Sequence, residues 1–231
     1  MKILDHLHNT LPKFKVTIPS TKTETFFRPF LVKEEKTLLM TQDEGNDTIL
    51  NAMAKIVESC VDNVSNGYQI PLCDLEYLFC MLRAKSVAET AEPTFICPDT
   101  GETIKVGINL TELDIEFPEV KNEVTINDEF KIILKNPVVA DYISLDSDKE
   151  TESLIARCID KIIIKDEVYE GSDLTVDEKI ELVENLTHKQ YEDVSHFVEN
   201  QPKVFKEISY KTKQDDEIRT LRLEGISDFF V

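Results

Sequence analysis

One stretch of the chain, residues 70–86 (IPLCDLEYLFCMLRAKS), constrains the fold more than any other. Its apolar side chains recur at steps of three and four residues and so share one stripe of a helix: Leu72, Leu75, Leu78, Phe79 and Leu82. Pro71 suits the first turn, where Asp74 could cap the helix or complement its dipole, and Arg83 and Lys85 suit the last turn. A helix with this stripe has to pack against other elements, so the stretch predicts a structural helix.

The charge of the chain restricts the partners that it can bind. Acidic residues number 45 and basic residues 26, which gives a formal net charge of −19 over 231 residues. Such a charge repels nucleic acid backbones and anionic membrane surfaces, so we expect neither DNA nor a membrane as partner. Two interpretations of the acidic surface stay open: it serves solubility alone, or it steers the protein toward basic surfaces of other proteins.

The cysteines indicate a reducing compartment. There are five of them, an odd number, and they form no CxxC pair: Cys60, Cys73, Cys80, Cys97 and Cys158. A free thiol on an apolar helix face behaves as a small hydrophobic side chain. Residues 1–10 carry charge and histidine where a signal peptide would be apolar, and no window reaches the ~18 apolar residues of a membrane span. We therefore expect a reduced, cytosolic folding environment.

The first segment, 1–42, is predicted to contain a β-hairpin and a short helix. Apolar and polar residues alternate over 14–18, and the turn residues at 19–22 lead into a second strand over 23–28. Residues 32–40 (VKEEKTLLM) predict the short helix, with acidic residues in its early turns.

The second segment, 43–122, is predicted to be a helix, helix, hairpin unit. Its first helix, capped by Asn46 or Asp47, has an apolar stripe of Leu50, Met53, Val57, Cys60, Val61 and Val64. The helix at 70–86 follows, and then a hairpin whose strands lie at 95–97 and 104–108. We expect the acidic residues 111–122, broken by Pro118, to form a connection between the halves of the chain.

The third segment, 123–231, is predicted to hold a hairpin, a second helical unit and a C-terminal hairpin. A helical stripe is formed by Leu154, Ile155, Cys158, Ile159 and Ile162. Two capping boxes, which begin at Thr175 and Thr187, predict two further helices. The complete pattern predicts an α+β fold of amphipathic helix pairs with short antiparallel hairpins.

A short stretch in each half of the chain has a similar amino-acid sequence. Residues 58–64 (ESCVDNV) resemble residues 156–162 (ARCIDKI), and each is expected to end an amphipathic helix. A tandem helix, helix, hairpin duplication explains this similarity. Chance, together with the residue pattern that amphipathic helices have in common, explains it equally well. Both interpretations stay open at this point.

Candidate chemistry in the chain is weak. Glu102 and Lys105 resemble part of a metal-dependent nuclease site, but their spacing places them on opposite faces of a strand. Cys97 begins a turn that has half the pattern of a zinc knuckle, with Thr100 where a second cysteine should be. No phosphate-binding glycine loop is present. We therefore predict no catalytic residue, no metal ligand and no cofactor.

Two aromatic clusters near the ends of the chain are candidates for partner binding. They are residues 26–30 (FFRPF) and 228–230 (DFF). Aromatic and arginine side chains concentrate binding energy at interfaces, and they also pack into a protein's own core. The candidate partner-binding residues are therefore Phe27, Arg28, Phe30, Asp228, Phe229 and Phe230.

Three stretches carry a family resemblance. Residues 27–36 (FRPFLVKEEK), 74–86 (DLEYLFCMLRAKS) and 225–230 (GISDFF) resemble the T4-type bacteriophage baseplate protein family. The resemblance implies a small tail protein that is associated with the central hub of the baseplate, either as a hub subunit or as a hub assembly factor. Relatives tend to have cysteine pairs near the hairpin turns, so the single Cys97 departs from the family pattern. The resemblance transfers no catalytic residue.

The resemblance sets the functional expectation. It implies a non-enzymatic protein that binds other phage tail proteins, either hub components or the tape measure protein, in the host cytoplasm during assembly. A place in the tail baseplate of the virion is the other expected location. The alternative from another class is an enzyme, namely a degenerate metal-dependent nuclease or another hub-associated enzyme such as a lysozyme.

Overall fold

The computed structural model describes residues 10–41, 45–143, 145, 149–214 and 217–230. It divides into two compact units, one formed by the described residues up to Glu116 together with those from Lys203 onward, and the other by Phe117–Pro202. Helices alternate with short antiparallel sheets in both units, so the predicted α+β class is confirmed. The division at 42 and 122 that the sequence suggests stays a prediction.

The first unit begins with the predicted hairpin. Strand β1 (Phe14–Thr17) pairs antiparallel with β2 (Glu24–Phe27), and Phe14 lies opposite Phe27. Lys22 has a positive φ of 56° in the turn between the strands. The predicted short helix follows as α1 (Val32–Thr41).

Two helices form the central packing of the first unit. They are α2 (Asn46–Cys60) and α3 (Leu72–Ser86), the helix that the sequence indicates most clearly. The predicted C-terminal part of α2 was wrong, since the helix ends at Cys60 and Val61 forms an antiparallel bridge with Phe27. The predicted cap was also wrong, because Gly45 occupies the N-cap position.

Two short strand pairs follow α3 in this unit. Strand β3 (Thr90–Ala91) pairs with β6 (Ile108–Asn109), and β4 (Thr94–Ile96) pairs with β5 (Thr103–Lys105), which confirms the predicted hairpin after α3.

The acidic segment 111–122 is more than a connection, which corrects the sequence interpretation. It contains strand β7 (Asp114–Glu116), which pairs with β12 (Lys203–Tyr210). The other edge of β12 pairs with β13 (Arg219–Glu224), so the predicted C-terminal hairpin is confirmed, and helix α8 (Gly225–Phe229) follows.

The second unit contains a four-stranded antiparallel sheet covered by helices. Its strands are β8 (Glu123–Asn127), β9 (Phe130–Leu134), β10 (Ile159–Ile164) and β11 (Glu167–Glu170), in the spatial order β11-β10-β9-β8. The helices are α4 (Val139–Tyr142), α5 (Glu150–Cys158), α6 (Val176–Glu184) and α7 (His188–Glu199). Its apolar core includes Ile155, Cys158 and Phe197, each 2% exposed or less.

The helix predicted over Leu154–Ile162 was half wrong. It ends at Cys158, and Ile159 and Ile162 belong to β10, where their side chains are buried. The two capping boxes are confirmed: Glu178 accepts the backbone N–H of Thr175 at 2.8 Å, and Gln190 accepts that of Thr187 at 2.9 Å.

The tandem helix, helix, hairpin duplication stays a prediction, but the chain near the two cysteines is arranged similarly. Cys60 and Cys158 each end a helix, and the chain after each cysteine pairs with the hairpin that precedes the helix. The carbonyl of Cys60 accepts the N–H of Arg28 at 3.0 Å, and that of Cys158 accepts the N–H of Lys135 at 2.8 Å. Both regions therefore share the order hairpin, short helix, longer helix and returning chain.

Candidate protein-binding groove

The first unit carries an open groove of about 590 Å³. Helices α1, α2, α3 and α8 and the segment just after β3 provide its walls. The lining side chains are mostly apolar and include Leu38, Leu39, Ile49, Met53, Phe79 and Ile226. A groove of this size and composition is within the range of known binding clefts.

Two aliphatic side chains on the groove are exposed to solvent. Leu39 on α1 is 59% exposed, and Val87, just after α3, is 57% exposed. Single exposed apolar residues are common on protein surfaces, whereas apolar side chains gathered in a concave site mark binding surfaces. This gathering makes the groove a candidate site for another protein.

Both predicted aromatic clusters reach the groove, although they lie at opposite ends of the chain. Phe30 and Phe230 line it together. The ring of Phe230 packs edge-on against Phe79, with centroids 6.3 Å apart, and against the fully buried Phe229 at 6.5 Å. Helix α8 thus anchors one wall through Phe229 and presents Phe230 to the groove.

Three other candidate partner-binding residues, Phe27, Arg28 and Asp228, form contacts within the protein itself. Phe27 is only 3% exposed and packs against Phe14 at 5.6 Å. Arg28 forms a two-pronged ion pair with Glu34, and Asp228 accepts the backbone N–H of Glu224 at 2.8 Å. Partner binding by these three residues stays a prediction.

Arg83 supplies a half-buried positive charge at the groove. Its guanidinium carbon lies 4.6 Å from the centre of the Phe230 ring, a cation–π contact. Burial lowers its pKa, and its buried Nη1 has no hydrogen-bond partner in the part of the chain that the structure describes. A desolvated guanidinium N–H without an acceptor is energetically costly.

A partly buried carboxylate holds α8 in place. Glu76 on α3 accepts the backbone N–H of Ile226 at 3.1 Å, next to Gly225, whose φ is +69°. A Cβ at Gly225 would lie 2.8 Å from Glu76 Oε1, so glycine allows this close approach. Burial raises the pKa of Glu76 to about 7, against the effect of the hydrogen bond from Ile226.

The residues considered for metal chemistry lie elsewhere in the first unit. The Tyr210 hydroxyl donates to Cys97 Sγ at 3.5 Å, and the turn after Cys97 faces the turn after β12, where the N–H of Lys213 donates to Glu102. Lys105 instead pairs with Glu92 at 2.5 Å. Among the described residues, no group of three or more histidine, cysteine, aspartate or glutamate side chains could hold a metal ion.

The comparison with protein families decides the identity of the chain. The model of a family described as T4 bacteriophage base plate protein matches residues 11–231, nearly the whole sequence. The chain belongs to this family. No curated protein matches this baseplate protein, and no solved structure matches it either.

Family membership connects this protein with the baseplate of the phage tail and with the other phage structural proteins found there. In the described part of the chain, no helix is long and apolar enough to cross a membrane.

Sequence reasoning missed several residues of the groove. The sequence alone does not mark Leu39 or Val87 as binding residues, and it predicts for Arg83 only a favourable interaction with the helix dipole. The run Leu38-Leu39-Met40 at the end of α1 contained a signal, since three consecutive apolar residues cannot all face the interior of one helix. No comparable signal marked Val87.

Proposed function

We propose that this baseplate protein acts without catalysis, as an assembly factor of the baseplate hub that holds another tail protein in its groove. The observation that carries the proposal is the open apolar groove, lined by aromatic side chains from both ends of the chain. Burial of such side chains against a partner is the main favourable term in protein association.

A temporary role fits the surface better than a permanent one. Permanent complexes bury large apolar interfaces, whereas released partners keep polar surfaces. The net charge of −19 keeps the free protein soluble and favours the temporary role. The long helical tape measure protein is the proposed client, since its apolar stripes need protection before the tail tube forms.

The enzymatic alternative finds little geometric support. A nuclease site would need Glu102 and Lys105 to act on one metal-bound water. Instead, Glu102 accepts the N–H of Lys213 at 2.8 Å, and Lys105 is engaged by Glu92. We therefore propose a binding function.

The proposed function is tested in two ways: by where the protein is found, and by substitutions in the groove. Quantitative mass spectrometry of purified phage, compared with lysates blocked in tail assembly, should find the protein in the lysate bound to one tail protein and absent from virions. A fixed ratio to hub proteins in virions would instead make it a hub subunit.

A matched pair of substitutions tests the groove itself. Val87→Lys places a charge in the groove, whereas Val168→Lys places it on strand β11 in the other unit, and the two valines are similarly exposed, 57% and 55%. We expect Val87→Lys to block tail assembly and Val168→Lys to permit it. Equal phage yields from the two variants would contradict a role for the groove.

A further inference from the structure

We propose that the groove receives an amphipathic helix that carries one carboxylate within its apolar stripe, where it pairs with Arg83, and a basic residue on the edge that faces α1. This inference rests on the proposed function, since it specifies the chemistry of the partner that the groove holds.

The walls of the groove favour a helix over a strand. Most lining residues are side chains of helices, which is the arrangement that accepts a helix through anchors at i, i+3 or i+4, and i+7. Strand addition would need an open strand edge, but β3 has only two residues and is followed in the lining by Pro93, which has no N–H to donate.

Arg83 specifies the carboxylate. Its Nη1 is buried and has no acceptor among the described residues, while Phe230 covers the guanidinium face. The guanidinium lines the groove and is only half-buried, so a carboxylate on the partner can form a charge-assisted hydrogen bond with it, which is about twice as strong as a neutral one. An uncharged apolar helix would leave the N–H buried without an acceptor, so Arg83 discriminates between partners.

Glu35 specifies the basic edge. It lies on α1 at the groove, is exposed, and forms no ion pair with any described residue. The second acid of the lining, Glu92, already pairs with Lys105. The net charge of −19 reinforces attraction of a basic flank over a longer range. The expected partner helix is therefore acidic at one point of its stripe and basic along one edge.

Designed peptides test this directly with the full-length protein. A set of dye-labelled amphipathic helices shares a leucine stripe and lysine edges, and a single glutamate is moved through the positions of the two central turns. The reference peptide has glutamine at every one of these positions. Binding is measured by fluorescence anisotropy at low and high salt.

We expect one or two neighbouring glutamate positions to bind about tenfold tighter than the reference, the gain typical of a hydrogen bond to a charged group. Arg83→Met keeps an apolar stem beside Phe230 but removes the charge, so it should abolish the gain. Glu35→Gln should weaken binding mainly at low salt.

Several results would overturn the inference. The first is that no peptide with a glutamate binds more tightly than the reference peptide. The second is that the gain in affinity persists in Arg83→Met, and the third is that a scrambled peptide without an apolar stripe binds equally well. The comparison of peptides on the unmodified protein stands even if Arg83→Met fails to fold. If no peptide binds but Val87→Lys still blocks tail assembly, the inference about the helix fails and the proposed function stands.

Discussion

The carboxylate of Asp74, on α3, accepts both the backbone N–H of Ser20 at 2.9 Å and the Ser20 hydroxyl. Asp74 is 1% exposed, whereas Ser20 lies in the turn between β1 and β2. The sequence suggests that Asp74 serves its own helix, but it instead connects the N-terminal hairpin to α3. This buried side chain therefore helps to fix the position of the hairpin, together with the bridge between Phe27 and Val61.

Asp74→Ala should destabilise the first unit by about 2 kcal/mol, because it removes both acceptors and leaves the donors of Ser20 without their partner. Ser20→Ala removes only the hydroxyl and should cost about 1 kcal/mol. Urea unfolding of both variants measures the difference. Equal losses would show that the backbone N–H of Ser20 contributes nothing to this connection.

The ion pair between Arg28 and Glu34 should contribute more than ion pairs at the surface. Its side chains are only 16% and 9% exposed, and Nη2 lies 2.8 Å from Oε1. Burial alone would raise the pKa of Glu34, but hydrogen bonds from Arg28 and Leu31 outweigh it and lower the pKa. Stability from this pair is therefore present at neutral pH and is lost as the pH falls through the lowered pKa.

Glu34→Gln should destabilise the protein by about 3 kcal/mol at neutral pH, since it leaves Arg28 partly buried without its counter-charge. Glu24→Gln is the control, because it breaks the exposed pair with Lys15, whose side chains are 56% and 63% exposed. The control should change the free energy of unfolding by less than ~0.5 kcal/mol. Chemical denaturation compares the two variants, and similar effects would contradict the importance of burial.

Glu76 predicts an unusual pH dependence. Burial raises its pKa from 4.5 to about 7 in the folded protein, so the folded state binds this proton more tightly than the unfolded state. The contribution of Glu76 to the free energy of unfolding is fully present below pH 4.5. It declines as the pH rises from 4.5 to about 7, because the folded protein then has to release this proton. Ionised Glu76 then costs up to about 3 kcal/mol.

Glu76→Gln should therefore stabilise the protein above neutral pH and have little effect in acid. The amide oxygen of glutamine can still accept the N–H of Ile226, so α8 should stay in place. Glu35→Gln makes the same change of charge at an exposed position and serves as the control. The prediction fails if thermal unfolding shows the same pH profile for the native protein and Glu76→Gln.

Gly67 is expected to tolerate no side chain. A Cβ at this position would lie 2.2 Å from the backbone oxygen of Ala54 on α2, a contact that only a backbone shift could relieve. Gly67→Ala should cost more than about 3 kcal/mol. At Gly107 a Cβ would meet nothing within 4 Å, so Gly107→Ala provides the matched control in unfolding experiments.

Periodicity predicted most helices, but it could not find the ends of α2 and α5. After Cys158 the chain continues with Ile159 and Ile162, which fit a helix stripe as well as a buried strand. Pairing with β9, which lies earlier in the chain, decides for the strand. β7 was missed for a related reason, because its partner β12 is far away in the sequence.

The groove was predictable only in part. The clustering of aromatic residues in the sequence indicates Phe30 and Phe230 as candidates, but only the folded chain places them at one site. The same signal included Phe27, which the core buries, because composition does not distinguish an interface from a core. Whether Arg83 Nη1 has an acceptor among the described residues depends on every neighbouring side chain, so no local sequence pattern reveals that it has none.

Cys97 should be the one cysteine that ionises near neutral pH. Hydrogen bonds from Thr100 and Tyr210 lower the pKa of its thiol to about 7. Burial raises the pKa of the Cys60, Cys73 and Cys158 thiols to about 12, and burial likewise raises that of Cys80.

Ultraviolet absorbance of the thiolate, followed from acid to alkaline pH, should therefore show one cysteine titrating near pH 7 in the folded protein. Cys97→Ser should remove this transition, and Tyr210→Phe should move it to higher pH, because a donor to the thiolate is lost. Chelator and added zinc should leave the transition unchanged, since a single thiolate at these facing turns cannot form a tetrahedral site. A zinc-dependent transition would instead identify a metal site that includes Cys97.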